Sequence, residues 1–142
     1  MTILVSACLL GHACRYDGQS KPHAGVAELL KKHTLVPICP EVQGGLPTPR
    51  PPAEIQGDRV INSEGRDVTD CYQRGAQAAL ELTKILGADT AILKQRSPSC
   101  GSGQIHNGKF DGGLVDGWGV TAQLLRDNGI TVYSEDETDK LL

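Results

Sequence analysis

Short apolar, β-branched runs take turns along this chain with stripes at helical spacing. "TILVSA" (residues 2–7) predicts a first strand. "GVAELLKKH" (25–33) places Val26, Leu29 and Leu30 on one helical face. "TLVPIC" (34–39) predicts a second strand, and "DRVIN" (58–62) a short extra strand or hairpin arm. The clearest periodicity lies in "DVTDCYQRGAQAALELTKILG", with apolar or small residues at 68, 71, 72, 75, 76, 79, 82, 83 and 86. That stripe repeats near every 3.6 residues and predicts a helix roughly 30 Å long. Asp67 is placed to cap it and Gly87 to end it. "DTAILKQ" predicts the third strand, "GWGVTAQLLRDNG" a further helix closed by Gly129, and "ITVYSE" the last strand.

Strands and helices thus alternate, which predicts an α/β fold. The expectation is a mostly parallel sheet with helices on both faces, a Rossmann-like three-layer arrangement. A single domain over residues 1–142 is expected, with a flexible tail from about 135. Ligands of such sheets bind beyond the carboxyl ends of the strands.

The cysteines give that rule content. The first strand leads into Cys8, the second into Cys39 and the third into Cys100, each followed by a Gly- or Pro-rich stretch. Neighbouring strands lie about 4.8 Å apart, so one rim of the sheet can gather the three thiols. Cys14 lies in the same loop as Cys8 and is either a fourth ligand or a packed loop thiol. Cys71 falls on the apolar stripe of the long helix and is expected as a core thiol.

Composition narrows the choices. The chain has 142 residues, 39% hydrophobic and 22% charged, with net charge −3. That balance gives no basic surface for nucleic acid. No apolar run approaches the roughly 20 residues that span a bilayer. The N-terminus lacks the basic region of a signal peptide, so a cytoplasmic protein is expected. In that reducing compartment five cysteines point to metal, catalysis or burial rather than disulfides.

Thiolate ligands favour zinc or iron–sulfur clusters. No C-x₂-C pair is present, which speaks against a structural zinc site. Three cysteines on a cubane cluster would leave one iron open for a substrate atom. Glu41, two residues after Cys39, is a candidate general base for water or else an exposed loop carboxylate. Ser97 and Ser99 either relay a proton or cap the turn before Cys100. Arg50 in "LPTPRPP" is a candidate anion or carbonyl contact. "GSGQIHNG" breaks the dinucleotide pattern at His106, and Gly108-Lys109 is followed by Phe110 rather than by the Ser or Thr of a P-loop.

The motifs "SACLLG…CRYDG", "PICPEVQGGLPTPRPPAEI", "LKQRSPSCGSG" and "DGWGVTAQLL" resemble the thiouracil desulfidase family over nearly the whole chain. The resemblance implies a compact α/β domain. It implies an oxygen-sensitive [4Fe-4S] cluster held by three cysteines, with one iron not ligated by protein. An aerobic preparation can lose such a cluster. It implies non-redox removal of sulfur from a small thiolated base such as 2-thiouracil, with water as co-substrate. Carried over by position, the ligands are Cys8, Cys39 and Cys100, and the assisting residues are Glu41 and Ser97. Ser99 and Cys14 also fit the motif beside Ser97 and Cys8.

Two rivals stand beside this expectation. One is a cysteine- or zinc-dependent hydrolase with Cys100 as nucleophile, although no histidine falls at a predicted strand end. The other is a non-enzymatic cluster-carrying or redox-sensing module. Oligomeric state is open.

Overall fold

The computed structural model describes residues 1–141; Leu142, the last residue of the expected tail, lies outside them. The strands are β1 (Thr2–Ser6), β2 (Thr34–Ile38), β3 (Ala53–Gln56), β4 (Arg59–Asn62), β5 (Thr90–Leu93), β6 (Ser102–His106), β7 (Leu114–Trp118) and β8 (Thr131–Ser134). The α-helices are α1 (Ala24–Glu28), α2 (Pro40–Gln43), α3 (Thr69–Leu86) and α4 (Val120–Asp127). Four strands make one parallel sheet in the order β2-β1-β5-β8. Strands β3–β4 and β6–β7 form separate antiparallel hairpins.

Side chains alternate across the sheet and split the core in two. Leu4, Ala91 and Leu93 pack on Ala79 and Leu80 of α3 and on Ala122 and Leu125 of α4. Ile3, Val5 and Ile92 pack on Val26 of α1 and on Leu29. The expected three-layer α/β arrangement is therefore present. The chain passes from β1 to β2 on one side and returns to β5 on the other side of β1. The carboxyl ends of β1 and β5 thus form the switch point of the sheet, where ligands bind in such folds.

Four elements differ from expectation. The first helix stops at Glu28, and a tighter turn over Leu29–Lys31 leaves Leu30 exposed. The buried face of α3 runs through Thr69, Tyr72, Gly75, Ala76, Ala79, Leu80 and Thr83, which leaves Cys71 half-buried rather than in the core. Residues Glu135–Leu141, expected as a tail, wind into 3₁₀ turns that bury Glu135 and Thr138. Their backbone is tied back where the His33 ring meets the Leu141 carbonyl at 2.8 Å. The hairpin β6–β7 was not expected, because its glycines and its half-exposed faces mask the strand alternation.

One close approach sets the site. Helix α2 crosses α3 so tightly that a Cβ on Gly44 would overlap the Cys71 carbonyl oxygen, and one on Gly75 the Pro40 carbonyl oxygen. Only glycine fits at both positions, and their contact brings the start of α2 against Tyr72.

Candidate functional site

A cavity of about 750 Å³ opens at the carboxyl ends of β1, β2 and β5. Cys8, Cys14, Cys39, Cys100, Glu41 and Ser97 all line it. The rim inferred from the strand ends is therefore one continuous surface. Cys8 sits in the 3₁₀ turn after β1, Cys39 is the residue before α2, and Cys100 closes the turn that follows β5. All five cysteines are free thiols. Among the described residues, no three His, Cys, Asp or Glu side chains converge on a single metal ion. The donors that line the cavity are the soft thiols that iron–sulfur clusters take.

The thiols differ in their electrostatics. The Cys39 thiol is lowered to about 6, chiefly because the Cys14 thiol donates to it; burial works the other way, and the Val42 N–H and the Arg50 guanidinium help. The Cys14 thiol is raised in return. The Cys14 carbonyl is held by Arg50 Nη2 at 2.9 Å, and 3.6 Å separates it from Cys39 Sγ. Burial pushes Cys8 up to about 11, aided by the charge of Cys39. Burial pushes Cys100 up to about 12, against a hydrogen bond with Ser6 that works downward.

Glu41 stands in the first turn of α2, beside Cys39. Its Oε1 accepts a hydrogen bond from the Tyr72 hydroxyl and lies 3.5 Å from Arg50 Nε. Among the described residues, no hydrogen bond reaches Oε2. Arg50 is buried and locked, with Nη1 donating to the Pro47 carbonyl and Thr48 Oγ1, both at 3.1 Å. Of the two readings of Glu41, the structure has the positioned carboxylate rather than an exposed one, and the expected anion contact, Arg50, is its guanidinium partner.

Ser97 Oγ accepts from the backbone N–H groups of Ser99 and Cys100, both at 3.0 Å. It caps the turn while the residue lines the cavity. Ser99 Oγ instead pairs with Thr121 Oγ1 at 2.8 Å in a buried contact away from the cavity. Gly101 and Gly119 are explained by this loop: a Cβ on Gly119 would overlap the Ser99 carbonyl. The same loop supplies carbonyl acceptors from Pro98 and Ser99 to the first N–H groups of α4. The glycines therefore serve loop-to-helix packing as well as the cavity.

Several cavity residues had little or no signal in the sequence pattern. Tyr72 reads only as part of a helical stripe, and its contact with Glu41 spans 31 positions. Lys94 and the buried Glu135 pair at 3.0 Å, and Glu135 Oε1 also accepts from the Gln95 N–H at 2.8 Å. His23 and His106 line the cavity as well, His106 as the last residue of the hairpin strand that was not expected.

Comparison with known proteins agrees with this geometry. Residues 3–137 match the family described as 2-thiouracil desulfurase. The chain is 43% identical over 150 residues to the "Uncharacterized protein YbbK" of Bacillus subtilis (strain 168), covering 99% of each. It also superposes on a solved structure described as a [4Fe-4S]-dependent thiouracil desulfidase, TudS. That match has TM-score 0.93 and 51% identity, covering 99% of this chain and 94% of that one.

Proposed function

The chain belongs to the 2-thiouracil desulfurase family, and on that premise we propose that it hydrolyses the C=S bond of a small thiolated uracil, releasing sulfide. The observation that carries the reading is the shared cavity. Thiols from three strand ends line it beside Glu41 and Ser97. Its volume of about 750 Å³ falls within the range of small-molecule sites.

Cys8, Cys39 and Cys100 would hold the [4Fe-4S] cluster, and Cys14 supports Cys39. When bound, the cluster supplies a soft Lewis acid for sulfur through an iron that no protein side chain ligates. Glu41 then has one task, to take a proton from the water that attacks the thiocarbonyl carbon. Its Oε2 is free to do so, while Tyr72 and Arg50 fix Oε1 and so fix the direction of the carboxylate. Ser97 lines the same cavity, and its hydroxyl would deliver a proton toward the departing sulfur. The balance is C=S plus H₂O giving C=O plus H₂S, with no change in electron count. Among the described residues, no helix is long and apolar enough to cross a membrane. Together with the free thiols, that supports a reducing, cytoplasmic setting.

A Cys100-nucleophile hydrolase is weaker on two observations. Its thiol is held near 12 by burial, and serine side chains rather than histidine contact it. The deciding experiment is anaerobic preparation, iron and sulfide counting, a visible spectrum and a sulfide assay with 2-thiouracil. The intact chain is expected to show four irons' absorption and release sulfide, and Cys100→Ala to lose both. A Cys100→Ala variant with full cluster and activity would sink the assignment.

A further inference from the structure

We propose that the loop joining β6 to β7, residues 107–113, is the base-recognition element of the cavity. In it the Phe110 ring is the stacking surface, and the neighbouring His106 Nδ1 hydrogen-bonds the edge of the base. The inference deepens the desulfidase reading and rests on it.

The first observation is an unmatched atom. His106 Nδ1 is buried and has no hydrogen-bond partner among the described residues, although the residue lines the cavity. Native structures satisfy almost all such atoms, and an exception calls for a ligand or a function. A uracil edge offers ring N–H donors and a carbonyl acceptor, so either imidazole tautomer finds a partner on it.

The second is an apolar ring held at a cost. Phe110 has a left-handed backbone, φ 55°, which a bulky residue adopts only when its surroundings impose it. Strain of this kind gathers at ligand clamps. Phe110 lines the cavity and is 38% exposed, which leaves apolar surface for a planar partner.

The third is the device that imposes the strain. Buried Glu54 on β3 accepts through Oε1 from the Gly108 N–H at 2.9 Å and the Phe110 N–H at 3.3 Å. Gln56 Nε2 donates to the Gly108 carbonyl at 2.7 Å. Asn107 and Asp111 brace the loop from within, at 2.9 Å. Gly108 has φ 87°, and a Cβ there would lie 2.7 Å from the Ile55 carbonyl oxygen. The loop is therefore fastened to β3 before any substrate arrives, which lowers the entropy cost of binding. The other exposed aromatic on the wall, Tyr16, already has the Arg15 guanidinium over its ring at 5.7 Å.

The test uses the anaerobic holoenzyme with 2-thiouracil as substrate and uracil as product inhibitor. Base–aromatic stacking predicts that Phe110→Ala raises KM and the uracil inhibition constant together by about 5- to 150-fold. The expected kcat stays within about threefold, with iron content and visible spectrum unchanged. Phe110→Trp is expected to restore binding and Phe110→Leu only in part. His106→Ala is expected to raise both constants about three- to tenfold. Unchanged constants in Phe110→Ala with an unchanged melting temperature overturn the inference. Loss of the visible spectrum in that variant also overturns it, because the residue would then be supporting the cluster. If the unaltered chain releases no sulfide, the desulfidase reading fails instead. Calorimetric binding of uracil to the same variants then decides the loop's role on its own, with equal affinities overturning it.

Discussion

Two walls of the same cavity are built from the same residue type and behave in opposite ways. At the end of β2, Cys39 sits among polar partners, namely the Cys14 thiol, the Val42 N–H and Arg50, and its thiol is lowered to about 6. Beyond the end of β5, Cys100 is enclosed by apolar neighbours such as Leu4 and Ala122, and its thiol is raised to about 12. On the proposed ligand set, the Cys39 wall would lose its proton to metal readily and the Cys100 wall would resist doing so.

The largest expected effect tests that difference directly. In cluster-free protein at pH 7, the lowered thiol of Cys39 is far more ionised than the raised, buried thiol of Cys100. A thiolate-selective alkylating agent followed by peptide mass mapping should modify Cys39 well before Cys100. Linkage gives the matching stability signs. Cys39 is depressed from 9.0, so its stabilisation is present above about 9 and lost as pH falls through about 6. Cys100 is raised from 9.0, so its stabilisation is present below about 9 and lost as pH rises through about 12. Alkylation of Cys100 first would break the comparison.

Next in size is the carboxylate of the polar wall. Glu41→Gln keeps shape and a hydrogen-bond acceptor for Tyr72 but cannot take a proton. General-base catalysis predicts a fall in kcat of about 10²- to 10⁴-fold. KM and the visible spectrum should barely move. A kcat within threefold of the parent would transfer the base role elsewhere in the cavity.

A smaller effect comes from what holds that wall in place. Gly75→Ala puts a methyl group into the Pro40 carbonyl and pushes α2 off α3. Overpacking of this kind costs about 1–3 kcal/mol. For a chain of this size that is a drop in Tm of a few degrees per kcal/mol. It should also weaken the Tyr72–Glu41 contact, so kcat should fall along with Tm. A stable Gly75→Ala variant with full kcat would show that the close approach is not what positions Glu41.

The two walls also differ in how far the sequence disclosed them. Cys8, Cys39 and Cys100 were visible because a strand ends before each one, and parallel topology alone brings strand ends together. The family motifs pointed to Glu41 and Ser97 as well. Tyr72 and Arg50 were not visible as partners of Glu41. Their contacts depend on the α2–α3 approach and on a Pro-rich segment folding back, and neither leaves a periodic trace. The β6–β7 hairpin was missed for a related reason. Gly103 and Gly117 lower strand propensity, and the pairing that offsets this is non-local. With the hairpin went the loop carrying Phe110, and His106 in its Gly-rich setting read more readily as a surface residue than as a ligand contact, so the wall proposed to face a base was the less legible one.

The smallest predicted effect separates the paired serines of the neutral wall. Ser97→Ala removes the acceptor of two backbone N–H groups, at about 0.5–1.5 kcal/mol each. Ser99→Ala strands the buried Thr121 hydroxyl at about 1–3 kcal/mol. The two variants should therefore melt within a few degrees of each other, and stability alone cannot tell them apart. Turnover can: only Ser97 lines the cavity with a proton to give, so only Ser97→Ala should lower kcat, by about tenfold or more. If Ser99→Ala loses turnover while Ser97→Ala keeps it, the proton donor has been placed on the wrong side of Pro98. The neutral wall would then act through α4 rather than through the turn that carries Cys100.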